Sequence, residues 1–267
     1  MTIFQALCLG IIQGLTEFLP ISSSAHLFLT RWLFHWPDVD ISFDVLLHLG
    51  TLLSVIWYFR IKLFKLFIAF ISSIRERTLS GNPYKRLSWL FIISCIPAGI
   101  TGFFLEDFIE NYLRSPLLIA FFLILLGCIL FCVEKIKKDE RKLEDITIID
   151  IMFIAIAQCL ALAPGVSRSG ITITAGLFRN FSRDDATEIS FLMAIPVIAG
   201  GALLKVVHLF CHDTPLMGMP LFAGLIASII SGYIAIRFLL GYIQKGTFYP
   251  FVLYRVLLGL FIIFIYK

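Results

Sequence analysis

The sequence predicts an all-α integral membrane protein: six transmembrane helices plus two re-entrant helix–loop–helix hairpins in an inverted-topology repeat. Three observations predict it. Of the 267 residues, 59% are hydrophobic and 15% charged, with mean hydropathy +0.94, which is too apolar for an ordinary soluble domain. Six stretches approach the ~20 apolar residues that a hydrocarbon core requires. Two further apolar stretches are broken by polar turns that contain proline, one near the start of each half.

The six spans are read at 42–60, 87–105, 115–133, 187–209, 218–240 and 248–266. The remaining stretches, around 3–32 and 148–180, are interrupted by Pro20 and by Pro164-Gly165. Backbone freed by such a break is tolerated only where protein or a polar cavity surrounds it. Each therefore reads as a hairpin that enters and leaves on one side. If both were full spans, eight crossings would result and the inversion would vanish.

Basic residues orient this arrangement. The 60–86 loop carries Arg60, Lys62, Lys65, Arg75, Arg77, Lys85 and Arg86, and the 134–147 loop carries Lys135, Lys137, Lys138, Arg141 and Lys142. Both are expected in the cytoplasm, the second as a solvated charge run. The acidic loop from Glu106 to Arg114 and the 210–217 loop, which lacks Lys and Arg, are expected outside, with Arg179, Arg183, Arg237 and Lys245 inside. Hairpin one is then entered from outside and hairpin two from inside. Residues 1–267 form a single membrane domain whose halves, 1–140 and 141–267, are inverted repeats. Such repeats place their site near the midplane, where the broken helices meet.

The net charge of +4 follows from loop bias, so the partner is the lipid bilayer and no nucleic acid. The N-terminus has no basic region ahead of an apolar run and is expected not to be a removable signal. The six cysteines form no CxxC pair and read as packing residues.

The two breaks carry the candidate chemistry. The first reads Gln13-Gly-Leu-Thr-Glu17-Phe-Leu-Pro20-Ile-Ser22-Ser23-Ser24-Ala-His26, and the second Gln158-Cys-Leu-Ala-Leu-Ala-Pro164-Gly165-Val-Ser167-Arg168-Ser169-Gly170. Each starts at Gln, reaches Pro, then runs into serines, which suggests a duplicated unit. Ionisable groups at membrane depth point to function. Glu17 either stays protonated or caps a neighbouring element, or it holds a divalent cation or acts as a general base. Ser22, Ser23 and Ser24 either cap a new helix or cradle an anion at its N-terminus, with one hydroxyl as nucleophile. His26, on the first turn, is an acid/base candidate.

Arg168 cannot be neutralised at membrane depth and needs an anion. With Ser167, Ser169, Gly165 and Gly170 around it, the composition suits a phosphate; the alternative is a structural ion pair with Glu17. Gln13 lies four residues before Glu17, on the same helix face. Gln158 reads as an amide bridging backbone groups. Arg255 either snorkels to an interface or adds a second positive charge. Asp44 and His48 are spaced to pair with each other, and His208 and His212 read as interfacial.

The two turn motifs resemble the signature motifs of the undecaprenyl-diphosphatase family, also called the bacitracin resistance protein family. Ile96-Pro97-Ala98 and Tyr254-Arg255 add support, and the likeness covers the whole chain in motif order. The resemblance implies an inner-membrane, multi-pass hydrolase that converts undecaprenyl diphosphate to undecaprenyl phosphate and inorganic phosphate. That reaction recycles the lipid carrier for peptidoglycan synthesis, cell-wall biogenesis and cell shape, and links the activity to bacitracin resistance. It also implies Mg²⁺ or Ca²⁺ as cofactor and a site open to the periplasm. Glu17, Ser23, His26, Ser167, Arg168 and Arg255 fall on family functional positions. Family members commonly have Glu where Gln13 stands, a Thr-Gly pair where Ser24-Ala25 stands, and an amide where His48 stands.

The expected site therefore comprises Glu17, Ser23, His26 and Arg168 as catalytic residues. Ser22, Ser24, Ser167, Arg168, Ser169, Gly170 and Arg255 are expected to bind phosphate, and Glu17 the metal. The nucleophile is left between Ser23 and water. A transporter or flippase for a phosphorylated lipid is the rival reading, since inverted repeats with broken helices also build transporters. A homodimer is left open.

Overall fold

Helix α1 (Ile3–Phe18) starts at Thr2, whose hydroxyl accepts the Gln5 N–H while the Gln5 side chain accepts the Thr2 N–H. It stops because Leu19, ahead of Pro20, is extended. After a short turn α2 (Ser23–Leu33) begins on the cap residue Ser22. The pattern recurs downstream. Helix α8 (Ile148–Cys159) starts at Thr147 with the same reciprocal cap, made with Asp150. It runs into a 3₁₀ turn, and Ala163 is extended ahead of Pro164. Helix α9 (Arg168–Phe178) begins on the cap residue Ser167. The corresponding boundaries are 145 residues apart, from 3 to 148, 23 to 168 and 33 to 178.

The structure, a computed structural model, describes residues 1–36, 41–113, 115–211 and 218–266, and within them not the side chains of 41, 42, 106, 107, 110, 111 and 204–211. Between the hairpins lie α3 (Ile41–Tyr58), α4 (Arg60–Glu76), α5 (Pro83–Ile93), α6 (Cys95–Tyr112) and α7 (Pro116–Ile136). After the second come α10 (Arg183–Cys211), α11 (Gly218–Ile243) and α12 (Tyr249–Ile265). The described residues are mostly helical, with one isolated bridge between Arg141 and Phe181 and no strand among them.

Among the described residues, four stretches are long and apolar enough to cross a membrane: Pro83–Leu105, Pro116–Ile136, Arg183–Leu203 and Gly218–Ile243. Ile3–Phe18, Phe43–Tyr58, Ile148–Leu162 and Tyr249–Ile265 are apolar but shorter. Large side chains such as Phe103, Phe104, Phe121, Phe238 and Phe264 stand exposed, as lipid-facing residues do.

Hairpin one packs its α1 against α11 and α3, and α9 packs on α10 and α8. The α1–α11 contact is lined by Gly10, Gly14, Gly224, Ser228, Ser231 and Gly232, and Ser231 Oγ donates to the Ala227 and Gly10 carbonyls. Small residues let backbones approach closely where no hydrophobic effect drives helices together.

Three expectations change. Residues 60–76, read as part of a loop, form α4, with Ile61, Phe64, Phe67, Ile68 and Ile71 exposed along it. The apolar residues recur every three or four positions among the lysines, so a helix satisfies both. The acidic loop over 106–114 is largely the end of α6; Arg114 and most of 210–217, including His212, lie outside the described residues, as does the His208 side chain. The 134–147 run is not simply solvated. Glu134 is buried and pairs with Arg183. Arg141 and Arg179 both bind the buried Asp150, because a buried carboxylate is costly unless paired.

Candidate active site

Both turns place a serine in a backbone conformation that L-residues rarely adopt. Ser22 has φ 76° and ψ 97°, and Ser167 φ 68° and ψ 109°. In that pose each hydroxyl caps the helix it precedes. Ser22 Oγ accepts the Ala25 N–H at 3.4 Å and Ser167 Oγ accepts the Gly170 N–H at 3.1 Å. Each also meets the serine two residues on, Ser24 at 3.1 Å and Ser169 at 3.3 Å. The N–H groups of residues 23, 24, 168 and 169 come before the first intrahelical acceptor and point out of the helix starts.

The two turns meet. Arg168 Nη2 donates to Glu17 Oε1 at 3.0 Å, across 151 residues of chain. The other carboxylate oxygen accepts from Ser23 Oγ at 2.7 Å and from Gln13 Nε2 at 3.0 Å. Glu17 and Gln13 are buried. The ion pair with Glu17 that the sequence offered as the alternative for Arg168 is present. It leaves the guanidinium with spare capacity, since Nε is buried without a partner and Nη1 makes only a 3.3 Å contact to the Ser190 carbonyl.

Ser169 is fully buried, and its hydroxyl donates to the Leu19 carbonyl at 3.0 Å and the Glu17 carbonyl at 3.2 Å. It joins the hairpins. Ser24, at the exposed edge, contributes a 3.4 Å contact from the Gly165 N–H. Gly165, at φ 93°, packs so closely that a Cβ would fall 2.6 Å from the Ile119 carbonyl oxygen.

Arg255 departs from its expected place among the phosphate ligands. It is fully buried, and its donors go to backbone carbonyls: Leu123 from Nε, Pro20 from Nη1, and Phe122, Gly165 and Val166 from Nη2. The broken backbone of both hairpins leaves carbonyls without helical donors, and one guanidinium satisfies several of them. Gly170 belongs to the same packing, because a Cβ there would lie 2.6 Å from Arg255 Nη1.

His26 sits apart from Ser23's hydrogen bond. Its Nδ1 is 2.7 Å from the Ser22 carbonyl oxygen and its Nε2 is 2.7 Å from the Tyr254 hydroxyl. A carbonyl only accepts, so Nδ1 carries the proton; in the neutral ring Nε2 accepts from Tyr254. The rings stack at 5.6 Å and 7°. Among the described contacts, the group on Ser23 Oγ is Glu17.

Sequence reasoning missed three neighbours of the site. Ser190 supplies a carbonyl to Arg168, and its hydroxyl meets Thr172 at 2.7 Å. Tyr254 covers His26. His48 Nε2 lies 3.6 Å from Glu17 Oε2. The expected Asp44–His48 pair is made through backbone instead: His48 Nδ1 donates to the Asp44 carbonyl while the Asp44 carboxylate binds Arg31. Gln158 does not bridge backbone groups, since both its amide atoms are buried without a partner. Helical spacing flags His48 and Asp44 as neighbours, but Ser190 and Tyr254 reach the site only through tertiary packing.

Residues 6–261 match the family of bacitracin resistance protein BacA. The chain is 46% identical over 261 residues to an undecaprenyl-diphosphatase of Pelobacter propionicus, covering 97% of this chain and 95% of that protein. It is 43% identical over 266 residues to an undecaprenyl-diphosphatase of Moorella thermoacetica, covering 100% and 98%. The match to one of Geobacter metallireducens is 46% over 260 residues, covering 96% and 95%.

Proposed function

The chain belongs to the bacitracin resistance protein BacA family, and we propose that it is a multi-pass membrane hydrolase that cleaves undecaprenyl diphosphate to undecaprenyl phosphate and inorganic phosphate. The observation that carries this reading is the meeting of Glu17, Ser23 and Arg168 at two facing helix starts, with Arg168 Nε unpartnered. Helix N-termini and an arginine fork are suited to phosphate oxygens. The single membrane domain comprises two inverted halves around this site.

The ion pairs support the inversion. Arg31, at the end of α2, binds Asp44 at the start of α3. Lys62, just past the other end of α3, binds Glu188 on α10, and α10 begins at Arg183 beside the α8–α9 mouth. The hairpins thus open at opposite ends of an 18-residue helix, ~27 Å long. The end rich in Lys and Arg is assigned to the cytoplasm, which puts the mouth of hairpin one on the periplasmic side of the inner membrane.

In the reaction, the diphosphate displaces Arg168 in part from Glu17 and takes the free Nε–H and the N–H groups at the two helix starts. Ser167 and Ser22 hold those helix starts in place. Ser23 Oγ attacks the terminal phosphorus, and Glu17 accepts the Ser23 proton. The anhydride P–O bond breaks, releasing the lipid phosphate, whose charge Arg168 stabilises. Water then adds to the phosphoserine, Glu17 returns its proton to the leaving Ser23 oxygen, and inorganic phosphate is released with the Ser23 hydroxyl restored. His26 takes the proton of that water at Nε2, once Nε2 has released the Tyr254 hydroxyl that it accepts in the resting site.

The residues present fit a divalent cation such as Mg²⁺ or Ca²⁺. Gln13 Oε1 is a buried oxygen without a donor, on an amide whose nitrogen lies 3.0 Å from Glu17 Oε2. One carboxylate with substrate phosphates and water is a usual setting for such an ion. Glu17 and Gln13 would hold it, and it would supply neutralising charge to the diphosphate.

The test is phosphate release from undecaprenyl diphosphate by the purified chain in detergent, with trapping of a phosphoserine at Ser23. Release with no trapped serine would leave water as the nucleophile. Transport without release would favour a flippase.

A further inference from the structure

His48 turns one ring nitrogen toward the Glu17 carboxylate. Its Nδ1 is committed to the Asp44 carbonyl at 2.7 Å, so that nitrogen bears the proton and, in the neutral ring, Nε2 presents a lone pair. That lone pair faces Glu17 Oε2 at 3.6 Å, too far for a hydrogen bond. Two electron-rich atoms so placed repel each other unless a proton on the imidazole or a metal cation lies between them. Ligands each about 2.0–2.2 Å from one metal stand roughly 3–3.5 Å apart at ordinary coordination angles, so the spacing suits a shared ion.

A third donor is at hand. The Gln13 amide nitrogen lies 3.0 Å from the same Glu17 oxygen, and its own oxygen is buried without a partner. Turning the amide over costs no change of shape. It puts Oε1 where the nitrogen stood, at cis-ligand distance from Glu17 Oε2.

We propose that His48 Nε2, Glu17 Oε2 and Gln13 Oε1 together hold the divalent cation, and that the imidazole shifts this site from Mg²⁺ or Ca²⁺ toward borderline first-row ions such as Co²⁺ and Zn²⁺. Imidazole suits borderline ions, whereas carboxylate and carbonyl oxygens alone suit Mg²⁺, Ca²⁺ and Mn²⁺. The inference rests on the metal reading given for Glu17 and adds His48 to it.

The experiment uses the full chain in detergent, stripped of metal and titrated with Mn²⁺, with binding and electron spin-echo spectra as readouts. The bound ion should show coupling to a directly ligated ¹⁴N, and growth with [¹⁵N]histidine should convert it to ¹⁵N coupling without any substitution. His48→Gln should abolish the coupling and weaken Co²⁺, titrated in parallel, about tenfold or more, while changing Mg²⁺ affinity less. Bound Mn²⁺ without histidine coupling in the labelled wild-type chain overturns the proposal, as does coupling that survives His48→Gln; His48 is then only a neighbour of Glu17. Glu17→Gln separates the two readings. If it loses Mn²⁺ while His48→Gln does not, only the His48 proposal fails. If neither substitution changes binding, the metal site at Glu17 fails with it.

Discussion

The turns at Ser22 and Ser167 share a backbone and differ in what they carry. Both place a cap serine at positive φ, both bond the N–H three residues on, and both start an 11-residue helix. The position after the cap is Ser23 in one and Arg168 in the other. The position five before the cap is Glu17 in one and Leu162 in the other. A repeated scaffold thus supplies two helix starts, while the chemistry is divided: acid and hydroxyl on hairpin one, cation on hairpin two. In the proposed mechanism the repeated turn supplies the two helix starts, and the differing side chains supply the reactivity.

The sharpest way to break this division is to remove the cation. Arg168→Ala should lower kcat/KM for undecaprenyl diphosphate by about 10³-fold or more, about 4 kcal/mol of transition-state stabilisation. It also leaves Glu17 a buried carboxylate without its arginine. Arg168→Lys keeps charge but not the fork, and should recover only part of the loss. Phosphate release under single-turnover conditions measures both. Activity of Arg168→Ala near wild type would remove hairpin two from the chemistry.

Next in size is the joint between the turns. Gly170→Ala drives a methyl to 2.6 Å from Arg255 Nη1, a group already committed to the Pro20 carbonyl. Overpacking of this kind costs about 1–3 kcal/mol. The variant should lose thermal stability in detergent and about tenfold in kcat, because the two breaks move apart. The equivalent residue in hairpin one is already Ala25, so the same methyl is tolerated where no arginine sits.

Much of this was legible in the chain. The proline breaks, the serine caps and the pairing of Glu17 with Arg168 follow from the cost of polar groups in hydrocarbon, which leaves few places for them to go. The role of Arg255 was not legible. Its partners are carbonyls on α7 and on both breaks, and a carbonyl has no residue identity to read. α4 hid for a related reason: its lysines advertise a loop, while its isoleucines and phenylalanines are spaced for a helix surface. The proposed metal site draws on residues 13, 17 and 48, whose convergence no local pattern encodes.

The caps test whether the turns are equivalent at all. Ser22→Ala and Ser167→Ala each lose a cap hydrogen bond, worth about 1 kcal/mol, and keep a side chain at positive φ. Glycine at either position loses the same bond but relieves the backbone strain. Ser→Gly should therefore be less destabilising than Ser→Ala at both sites, and by similar amounts, in thermal melts of the purified protein. A large difference between the two sites would mean that the shared dihedral angles conceal different jobs.

The smallest effect contrasts the two glutamines. Gln13 and Gln158 stand 145 residues apart, as the helix starts at 3 and 148 do, and both are buried. Gln13 gives its amide N–H to Glu17, whereas Gln158 has neither amide atom paired and lies one turn before Leu162, where hairpin two has no acid. Burying an unpaired amide costs free energy that an apolar side chain of similar size does not. Gln158→Leu should therefore leave activity within about twofold and raise thermal stability slightly, by about 1 kcal/mol. Gln13→Leu should lower both activity and divalent-ion affinity. Equal responses would mean that Gln158 has a partner in the working enzyme, and that the second hairpin carries more of the chemistry than one cation.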